Sequence, residues 1–315
     1  MLRSTVALLI LVLCPGLSFG AASESEYAMS ATQIAPNVYA VISPARDFPN
    51  VENKGWNSNS GFVVTPDGVL LFDSGSSQTI GMALKRTIAK VTDKPVRWIV
   101  NSHGHGDHWL GNAAFQRPDL VIFASETVTK RIRNEGKDWI ERFNGMTNGA
   151  TGTSGIVIPT TPVTERTKKT LGGVEVVFIP SGDSHSPGDI VMWLPKQRVL
   201  MTGDVVYSDR MPSTFDSKVQ QWIKFLGELE KLQPKVVVPG HGGLADVGAI
   251  RRQRELFQDF WAAVKKGFEA GKTDFEMAPD VNKALSKYRK YYPGFDEKLG
   301  RDISYVLLQV EAASF

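Results

Sequence analysis

The amino-acid sequence predicts a protein of the α/β class, on three observations. Short apolar runs that are typical of buried strands alternate along the chain with longer segments in which apolar residues recur at helical spacing. Residues that favour turns, mainly Pro, Gly and Asp, separate these elements. The three short motifs that contain all five histidines each come soon after a strand-like run.

The first half of the chain begins with a predicted meander of strands and continues with alternating helices and strands. The turn sequence Pro66-Asp67-Gly68 joins two of the strands. The predicted elements are strands at residues 38–43, 61–65, 69–73, 96–100 and 120–124, and helices at residues 78–91 and 126–143. A stretch rich in Gly, Thr and Pro at residues 145–164 is predicted to be a loop.

The second half of the chain shows the same alternation. The predicted elements are strands at residues 174–180, 190–194, 199–202 and 235–238, and helices at residues 219–232, 247–270 and 299–312. We expect the last two helices to pack on the outside of the body.

Residues 1–20 have the pattern of a secretory signal peptide: a short charged start, an apolar run and small residues at a cleavage site. We expect cleavage after Gly20 or Ala22, which places the mature protein in the periplasm or outside the cell. The alternative, a membrane anchor, is disfavoured because the apolar run is shorter than the roughly 20 residues that a spanning helix needs. No later segment is long and apolar enough to remain in the membrane after cleavage.

Composition excludes several classes of protein. Cleavage would remove Cys14, the one cysteine of the chain, so the mature fold cannot contain a disulfide bond. The 36 basic and 33 acidic residues are mixed along the chain. This pattern does not indicate a nucleic-acid partner or a basic membrane-binding patch. The expected partner is a small-molecule substrate, and the sequence does not indicate an oligomeric state.

The histidines indicate a metal site, because neutral imidazole is a common ligand of zinc and none of them lies elsewhere in the chain. In the segment 103–108, His-Gly-His-Gly-Asp-His, we expect the glycines to allow a tight turn. One metal ion cannot easily bind all four donors of this segment. We therefore expect a first ion bound by His103, His105 and His185, a second ion bound by Asp107, His108 and His241, and Asp204 as a carboxylate that bridges them.

These motifs resemble the metallo-β-lactamase superfamily. The resemblance rests on His103-x-His105-x-Asp107-His108, then His185, Gly203-Asp204 and Pro239-Gly240-His241, in this order. It implies a four-layer αββα sandwich, with a catalytic domain at residues 31–245 and a helical extension at residues 246–315 packed on it. It also implies two Zn²⁺ ions, with Fe or Mn as alternatives, and hydrolysis by a bridging hydroxide that Asp107 orients.

Individual residues show which subfamilies of the superfamily this chain resembles and which it does not. The mature chain cannot supply the cysteine ligand of the best-known β-lactamases, whereas Asp204 is similar to the bridging carboxylate of glyoxalase II. Tyr207 has the spacing of a tyrosine that binds the substrate carbonyl in acyl-homoserine lactonases, and a buried packing role is the alternative. Asp73 resembles an aspartate that supports the metal loop, with a plain turn residue as the alternative. Residues 44–57, with Phe48 and Trp56, resemble a lactamase loop that folds over the substrate.

The sequence therefore predicts an exported dinuclear zinc hydrolase of a small ester, lactone, thioester or β-lactam. The alternative is a metal-binding protein that does not hydrolyse its substrate, such as an iron-dependent dioxygenase. Metal content and oxygen uptake distinguish the two hypotheses.

Overall fold

The computed structural model describes residues 27–44 and 47–314, so the predicted signal peptide at residues 1–20 and its cleavage site lie outside the described residues. Two β-sheets lie face to face. The first contains seven strands in sequence order: β1 Thr32–Ala35, β2 Val38–Val41, β3 Ser60–Thr65, β4 Gly68–Phe72, β5 Val96–Val100, β6 Val121–Ala124 and β7 Thr161–Pro162.

The second sheet contains five strands in the order β12-β11-β10-β9-β8. Their bounds are β8 Thr167–Leu171, β9 Val174–Asp183, β10 Pro187–Leu194, β11 Val199–Tyr207 and β12 Val236–His241. The α-helices are α1 Gln78–Ala89, α2 Gly106–Trp109, α3 Glu126–Met146, α4 Val219–Glu230, α5 Val247–Glu269, α6 Asp274–Leu285 and α7 Phe295–Ala312. Short 3₁₀ helices follow α2, at Leu110–Phe115, and α6, at Ser286–Tyr291.

Side chains on both faces of each sheet are buried, which explains the continuous apolar runs in the sequence. Between the sheets, Leu70 and Val100 belong to the same core cluster as Met201. The other face of the first sheet packs against α1, and the outer face of the second sheet packs against α4 and the C-terminal helices. The expected four-layer αββα sandwich is therefore confirmed.

Parallel strand pairs bring functional loops to one edge of each sheet. β4 and β5 are parallel and pair Phe72 with Val100, so the residues that follow them, including Asp73, leave the sheet together. In the second sheet β11 and β12 are also parallel. The carboxyl ends of these four strands supply much of the candidate site, as is usual for parallel strands.

Two of the strands that are longer than predicted contain donor residues. Asp204 lies inside β11 and His241 is the last residue of β12, whereas both were expected in loops after their strands. The glycines at positions 203 and 240 suggested strand ends, but pairing continues past them with register shifts, and Tyr207 pairs with His241. Asp204 is therefore held by strand pairing as well as by side-chain packing.

Four elements, β1, β7, β8 and α6, were not predicted from the sequence. β8 is an edge strand whose less exposed face carries Thr167 and Lys169 besides Leu171, so it shows no apolar alternation in the sequence. α6 has Thr273 as its N-cap, and the side chain and backbone of Thr273 and Glu276 form a capping box. This Thr-x-x-Glu pattern is the signal that could have identified the helix.

The C-terminal helices α5 to α7 pack on the second sheet. Trp222 of α4 and Phe257 of α5 have ring centroids 4.5 Å apart within a core cluster that also contains Val306 of α7. Within the described ranges, none of the helices has both the length and the apolar character needed to cross a bilayer.

Asp302 of α7 provides a test of how this packing responds to pH. Its Oδ1 accepts hydrogen bonds from the amide and hydroxyl of Thr214, at 3.2 and 3.0 Å, and burial raises the pKa of Asp302 from 3.8 to about 6. Because the folded-state pKa is above the unfolded value, the associated stability is complete below about pH 4 and is lost as the pH rises through about 6. Asp302→Asn keeps the acceptor and removes the charge. We expect it to increase the free energy of unfolding by up to about 3 kcal/mol near pH 8, and by much less near pH 4.5.

Urea denaturation at both pH values measures this difference. An equal effect of Asp302→Asn at the two pH values would contradict the assigned cause. Asp93→Asn, at an exposed position before β5, is the matched control.

Candidate metal centre

The seven predicted donor residues converge from four separate parts of the chain. His103 and His105 lie in the loop after β5, and α2 carries Asp107 and His108. His185 lies in the turn between β9 and β10, Asp204 in β11, and His241 at the end of β12. The convergence that the sequence motifs suggested is present in the structure.

The donor atoms form two groups, and within each group the atoms lie within 4.8 Å of one another: His103, His105, His185 and Asp204 in the first, and Asp107, His108 and His241 in the second. In the first group, Nδ1 of His105 is 3.1 Å from Nε2 of His103 and 3.0 Å from Nε2 of His185. Asp204 lies between the groups. Its Oδ1 is 3.2 Å from His108 Nε2, and its Oδ2 is 3.2 Å from His241 Nε2.

The two glycines of the first motif are explained by side chains of α3 that pack close to their Cα atoms, and not by unusual backbone dihedral angles. The chain bends at residues 103–105 as expected, but Gly104 and Gly106 are absent from the described residues with positive φ, so the turn does not depend on glycine dihedral angles. A Cβ at Gly106 would lie 2.8 Å from Cβ of Trp139, and one at Gly104 would lie 3.2 Å from Cδ of Arg131. Glycine at these positions lets α3 approach the histidine loop.

Glycine is needed more strictly beside Asp204. Gly203 has a φ of 50°, and a Cβ there would overlap the side chain of Ser102. A Cβ at Gly240 would overlap Oδ1 of Asp204. The two strands therefore approach the donor groups more closely than any residue with a side chain would allow.

Asp73 supports both donor groups, as the sequence analysis proposed. Its Oδ2 is 2.8 Å from His108 Nδ1 and accepts a hydrogen bond from Ser102 Oγ at 2.7 Å. The same hydroxyl lies 2.8 Å from His103 Nδ1, and Oδ1 of Asp73 accepts from the Ser102 amide. One buried carboxylate thus orients His108 directly and His103 through Ser102, leaving the Nε2 atoms of both rings toward the donor groups.

Asp216 was not predicted and has the corresponding role for His105. Its Oδ2 lies 3.3 Å from His105 Nε2 and accepts a hydrogen bond from Arg131 Nη1 at 2.6 Å. Arg131 is in turn held by Glu135. No sequence signal could have identified this contact, because Asp216 lies in an irregular loop 111 positions from His105.

Further polar side chains hold the remaining donors. Asp189 accepts hydrogen bonds from the amides of His185 and Ser186, at 2.7 and 2.9 Å, and so fixes the turn that carries His185. Asn57 Nδ2 donates to Asp107 Oδ2 at 3.0 Å. The position of Asp189 four residues after His185 is the sequence signal for this contact.

Burial keeps three of the imidazoles neutral. It lowers the pKa of His185 to about 3, that of His103 well below 6.5, and, together with Arg210, that of His241. Burial also opposes ionisation of Asp204, but His241 and His108 outweigh it and hold the pKa of Asp204 well below its usual range. Neutral imidazoles and ionised carboxylates are the forms that bind metal ions.

His108 differs from the other rings. Burial would lower its pKa, but Asp204, Asp107 and Asp73 together raise the pKa of His108 well above 6.5. This negative surrounding is suited to a cation, whether a proton or a metal ion.

Tyr207 lies close to the donor groups, but its hydroxyl contacts a donor residue. The phenol donates to Asp204 Oδ2 at 2.6 Å, and burial followed by the charge of Asp204 raises the pKa of Tyr207 well above 10. The phenol therefore remains protonated. Its ring also lines the cavity above the donors.

The donor set fits a metal pair. His108 Nε2 and Asp204 Oδ1 are both buried. They lie 3.2 Å apart but do not have hydrogen-bond geometry, and neither has another hydrogen-bond partner within the described part of the chain. Imidazole nitrogens also face one another at close to 3 Å in the first group, an arrangement that a shared cation would stabilise. Nitrogen and carboxylate donors without thiolate suit zinc, iron or manganese.

The donors form the floor of a cavity of about 230 Å³. His105, Asp107, His185, Asp204 and His241 all reach it. Phe48 also lines the cavity, in agreement with the loop predicted to cover it, whereas Trp56 of the same loop is buried in the core beside α1.

A family model described as the metallo-beta-lactamase superfamily matches residues 53–241. Metallo-beta-lactamase IND-1 of Chryseobacterium indologenes is 26% identical over 208 residues, which cover 64% of this chain and 79% of that protein. The linear primary-alkylsulfatase of a Pseudomonas species is 25% identical over 214 residues, covering 57% of this chain. This match spans only 40% of the alkylsulfatase's own length.

Solved structures agree with the fold. The metallo-beta-lactamase from Pontibacter korlensis superposes with a TM-score of 0.58 at 23% identity, covering 73% of this chain and 99% of that one. The sec-alkylsulfatase Pisa1 from Pseudomonas sp. gives a TM-score of 0.66 at 16% identity and covers 89% of this chain and 50% of that one. With the family match over residues 53–241 and the two donor groups, the chain belongs to the metallo-beta-lactamase superfamily.

Proposed function

We propose that this protein is an exported dinuclear zinc hydrolase that cleaves a small ester, lactone, thioester or β-lactam. The observation that carries the proposal is the position of Asp204 between two groups of donors at the floor of a cavity. The pattern of residues 1–20 supports export to the periplasm or the medium.

Two zinc ions, when bound, would supply a hydroxide at neutral pH and polarise the scissile carbonyl. The residues of the chain would do the rest. His103, His105 and His185 would hold one ion and Asp107, His108 and His241 the other, with Asp204 shared. Nucleophile and substrate would meet at the cavity floor, where these side chains are mostly buried from solvent.

Asp107 is the residue best placed to move a proton. Asn57 fixes one oxygen of its carboxylate, and the side chain lines the cavity. His108 and His241 overcome the effect of burial and lower the pKa of Asp107, so that it is ionised at neutral pH. It would accept the proton of the attacking water and pass it to the leaving group.

Tyr207 would contribute by orienting Asp204 and not by contacting the substrate. Its hydroxyl is committed to Asp204 Oδ2, and this contact would orient the shared carboxylate. Direct stabilisation of a substrate oxyanion, as its spacing suggested, would require the hydroxyl to exchange this partner.

Hydrolysis of a sulfate ester is a second candidate. One observation favours it: the alkylsulfatase structure covers 89% of this chain, whereas the lactamase structure covers 73%. The alkylsulfatase structure therefore matches more of this chain than the lactamase structure does, and α5 to α7 lie beyond the segment that the family model matches.

Metal analysis and a substrate panel test the proposal together. We expect about two zinc ions per chain, measured by elemental analysis of protein prepared without added chelator. The panel is a chromogenic cephalosporin, a homoserine lactone, a lactoyl-glutathione thioester, a neutral 4-nitrophenyl ester and an alkyl sulfate. Hydrolysis of a carbonyl substrate supports the first candidate, and turnover of the sulfate alone supports the second. One iron per chain with oxygen uptake and no hydrolysis would overturn both.

A further inference from the structure

The cavity above the metal centre is lined by charges of both signs. Asp107, Asp204 and Asp216 are its acidic lining residues, and all three contact donor histidines, whereas Arg142, Arg210, Lys298 and Arg301 are its basic ones. Two of these cations, Lys298 and Arg301, belong to α7, outside the segment that the family model matches. The C-terminal helix therefore forms part of the wall of the candidate active site.

Arg210 is the least exposed of these cations. Its side chain is almost fully enclosed, with the residue only 4% exposed, and its guanidinium lies 5.0 Å from the centre of the Phe48 ring. Its Nη1 is 2.8 Å from His241 Nδ1, so it borders the second donor group. No carboxylate among residues 27–44 and 47–314 forms an ion pair with it. A buried cation without a counter-ion is costly unless an anion completes the site.

Lys298 and Arg301 extend this positive region along α7. They are three residues apart, so they lie on the same face of the helix. Neither forms an ion pair with a carboxylate in the described part of the chain, and the Asp302 carboxylate near Lys298 is bound by Thr214. Burial and the nearby charge of Arg210 lower the pKa of Lys298 to about 8, in keeping with an excess of positive charge here.

The rest of the wall is apolar. Trp139, Phe143 and Met146 of α3 line one part of the cavity. Phe215 and Tyr305, whose rings meet edge to face at 5.5 Å, also line it, and Phe215 is 64% exposed although its side chain is aromatic. A ligand that covers these rings would remove apolar surface from water.

We propose that Arg210, Lys298 and Arg301 form a binding site for an oxyanion of the substrate, and that the apolar wall binds an attached hydrocarbon group. The ligand class is a small amphipathic monoanion, with a carboxylate or a sulfate as its charged group. The site rests on the proposed function for the reaction that follows binding, but not for binding itself. Of the three cations, Arg210 borders the second donor group, so a bound anionic group would share the cavity with the metal centre.

Binding of a non-hydrolysable anion provides the direct test. The probes are octanesulfonate and nonanoate, titrated calorimetrically into the full zinc-loaded protein and into the double variant Lys298→Met, Arg301→Gln. Both replacements remove the charge and retain an unbranched aliphatic stem. We expect the dissociation constant of the preferred probe to rise on the order of tenfold to a hundredfold in the double variant. Lys265→Met on the exposed surface of α5 is the matched control.

Turnover of a matched substrate pair gives a second measurement. The pair is the 4-nitrophenyl monoester of adipic acid, which carries a carboxylate, and neutral 4-nitrophenyl hexanoate. We expect kcat/KM for the adipate ester, divided by kcat/KM for the hexanoate ester, to fall at least about tenfold in the double variant. Only the adipate ester has a carboxylate that Lys298 and Arg301 could bind. Preference for nonanoate over octanesulfonate would identify the anion as a carboxylate, and the reverse would identify it as a sulfate.

The outcomes separate this inference from the proposed function. If the double variant binds both probes as tightly as the wild type, the anion is held elsewhere and the inference is wrong. The same conclusion follows if the wild type binds neither probe. If no panel substrate is hydrolysed but probe binding still depends on Lys298 and Arg301, the proposed function fails while the anion site is supported.

Discussion

Replacing Asp107 by alanine is expected to lower kcat/KM for the best panel substrate by about three orders of magnitude or more. Two losses combine. The second donor group would keep only His108 and His241, and the carboxylate placed to carry the proton would be absent. His105→Ala is expected to have a comparable effect, because it removes the ring whose Nδ1 lies between His103 and His185.

Steady-state kinetics with each variant, after incubation with zinc, measures the effect. Circular dichroism should show a largely unchanged fold, because both side chains lie at the carboxyl end of the first sheet and not in its core. Asp93→Ala is the matched control, since this exposed aspartate precedes β5 at the opposite end of the strand. Turnover like that of the wild type in either Asp107→Ala or His105→Ala would remove the assignment of the centre.

The sequence could predict the donors of this centre because metal chemistry restricts the residue types. Five histidines in three motifs left few other ways to group the donors, and the carboxylates beside them completed two sets. The strands that carry them were also predictable, because β4 is buried on both faces and continuously apolar, and β5 is apolar at every position except Arg97. Both predictions rest on local patterns that the fold does not override.

The residues that orient the donors were harder to predict. Asp216 reaches His105 through a loop without periodicity, and Arg210 is identified only by being buried without a counter-ion. Lys298 and Arg301 look like ordinary exposed charges on an amphipathic helix until α7 is placed against the cavity. Such contacts depend on tertiary packing between distant segments, for which a single sequence contains no signal.

Asp73 is the exception, a predicted supporting residue whose geometry permits a sharp experiment. It has a φ of 56°, which asparagine tolerates better than most residues, so Asp73→Asn should keep the backbone of the turn. The amide cannot reproduce both contacts of the carboxylate. If its oxygen accepts from the Ser102 amide, its NH₂ group faces His108 Nδ1 and favours the tautomer with a proton on Nε2.

That tautomer cannot bind a metal ion through Nε2. We therefore expect Asp73→Asn to lower the affinity of the second site about 10- to 100-fold, so that zinc content falls from about two ions to about one per chain after dialysis. Asp67→Asn, in the exposed turn of the same hairpin, should retain the metal content of the wild type. Two tightly bound zinc ions in Asp73→Asn would contradict the orienting role.

Asp73→Ala separates orientation from stability. It removes the acceptor of the Ser102 amide and hydroxyl as well as the partner of His108, all of them buried. It also places alanine at a positive φ. We expect the free energy of unfolding of the metal-free protein to fall by about 3 to 5 kcal/mol in Asp73→Ala, and by clearly less in Asp73→Asn. Chemical denaturation in the presence of a chelator measures both. An equal loss in the two variants would mean that the charge of Asp73, and not its hydrogen bonds to Ser102, stabilises the turn.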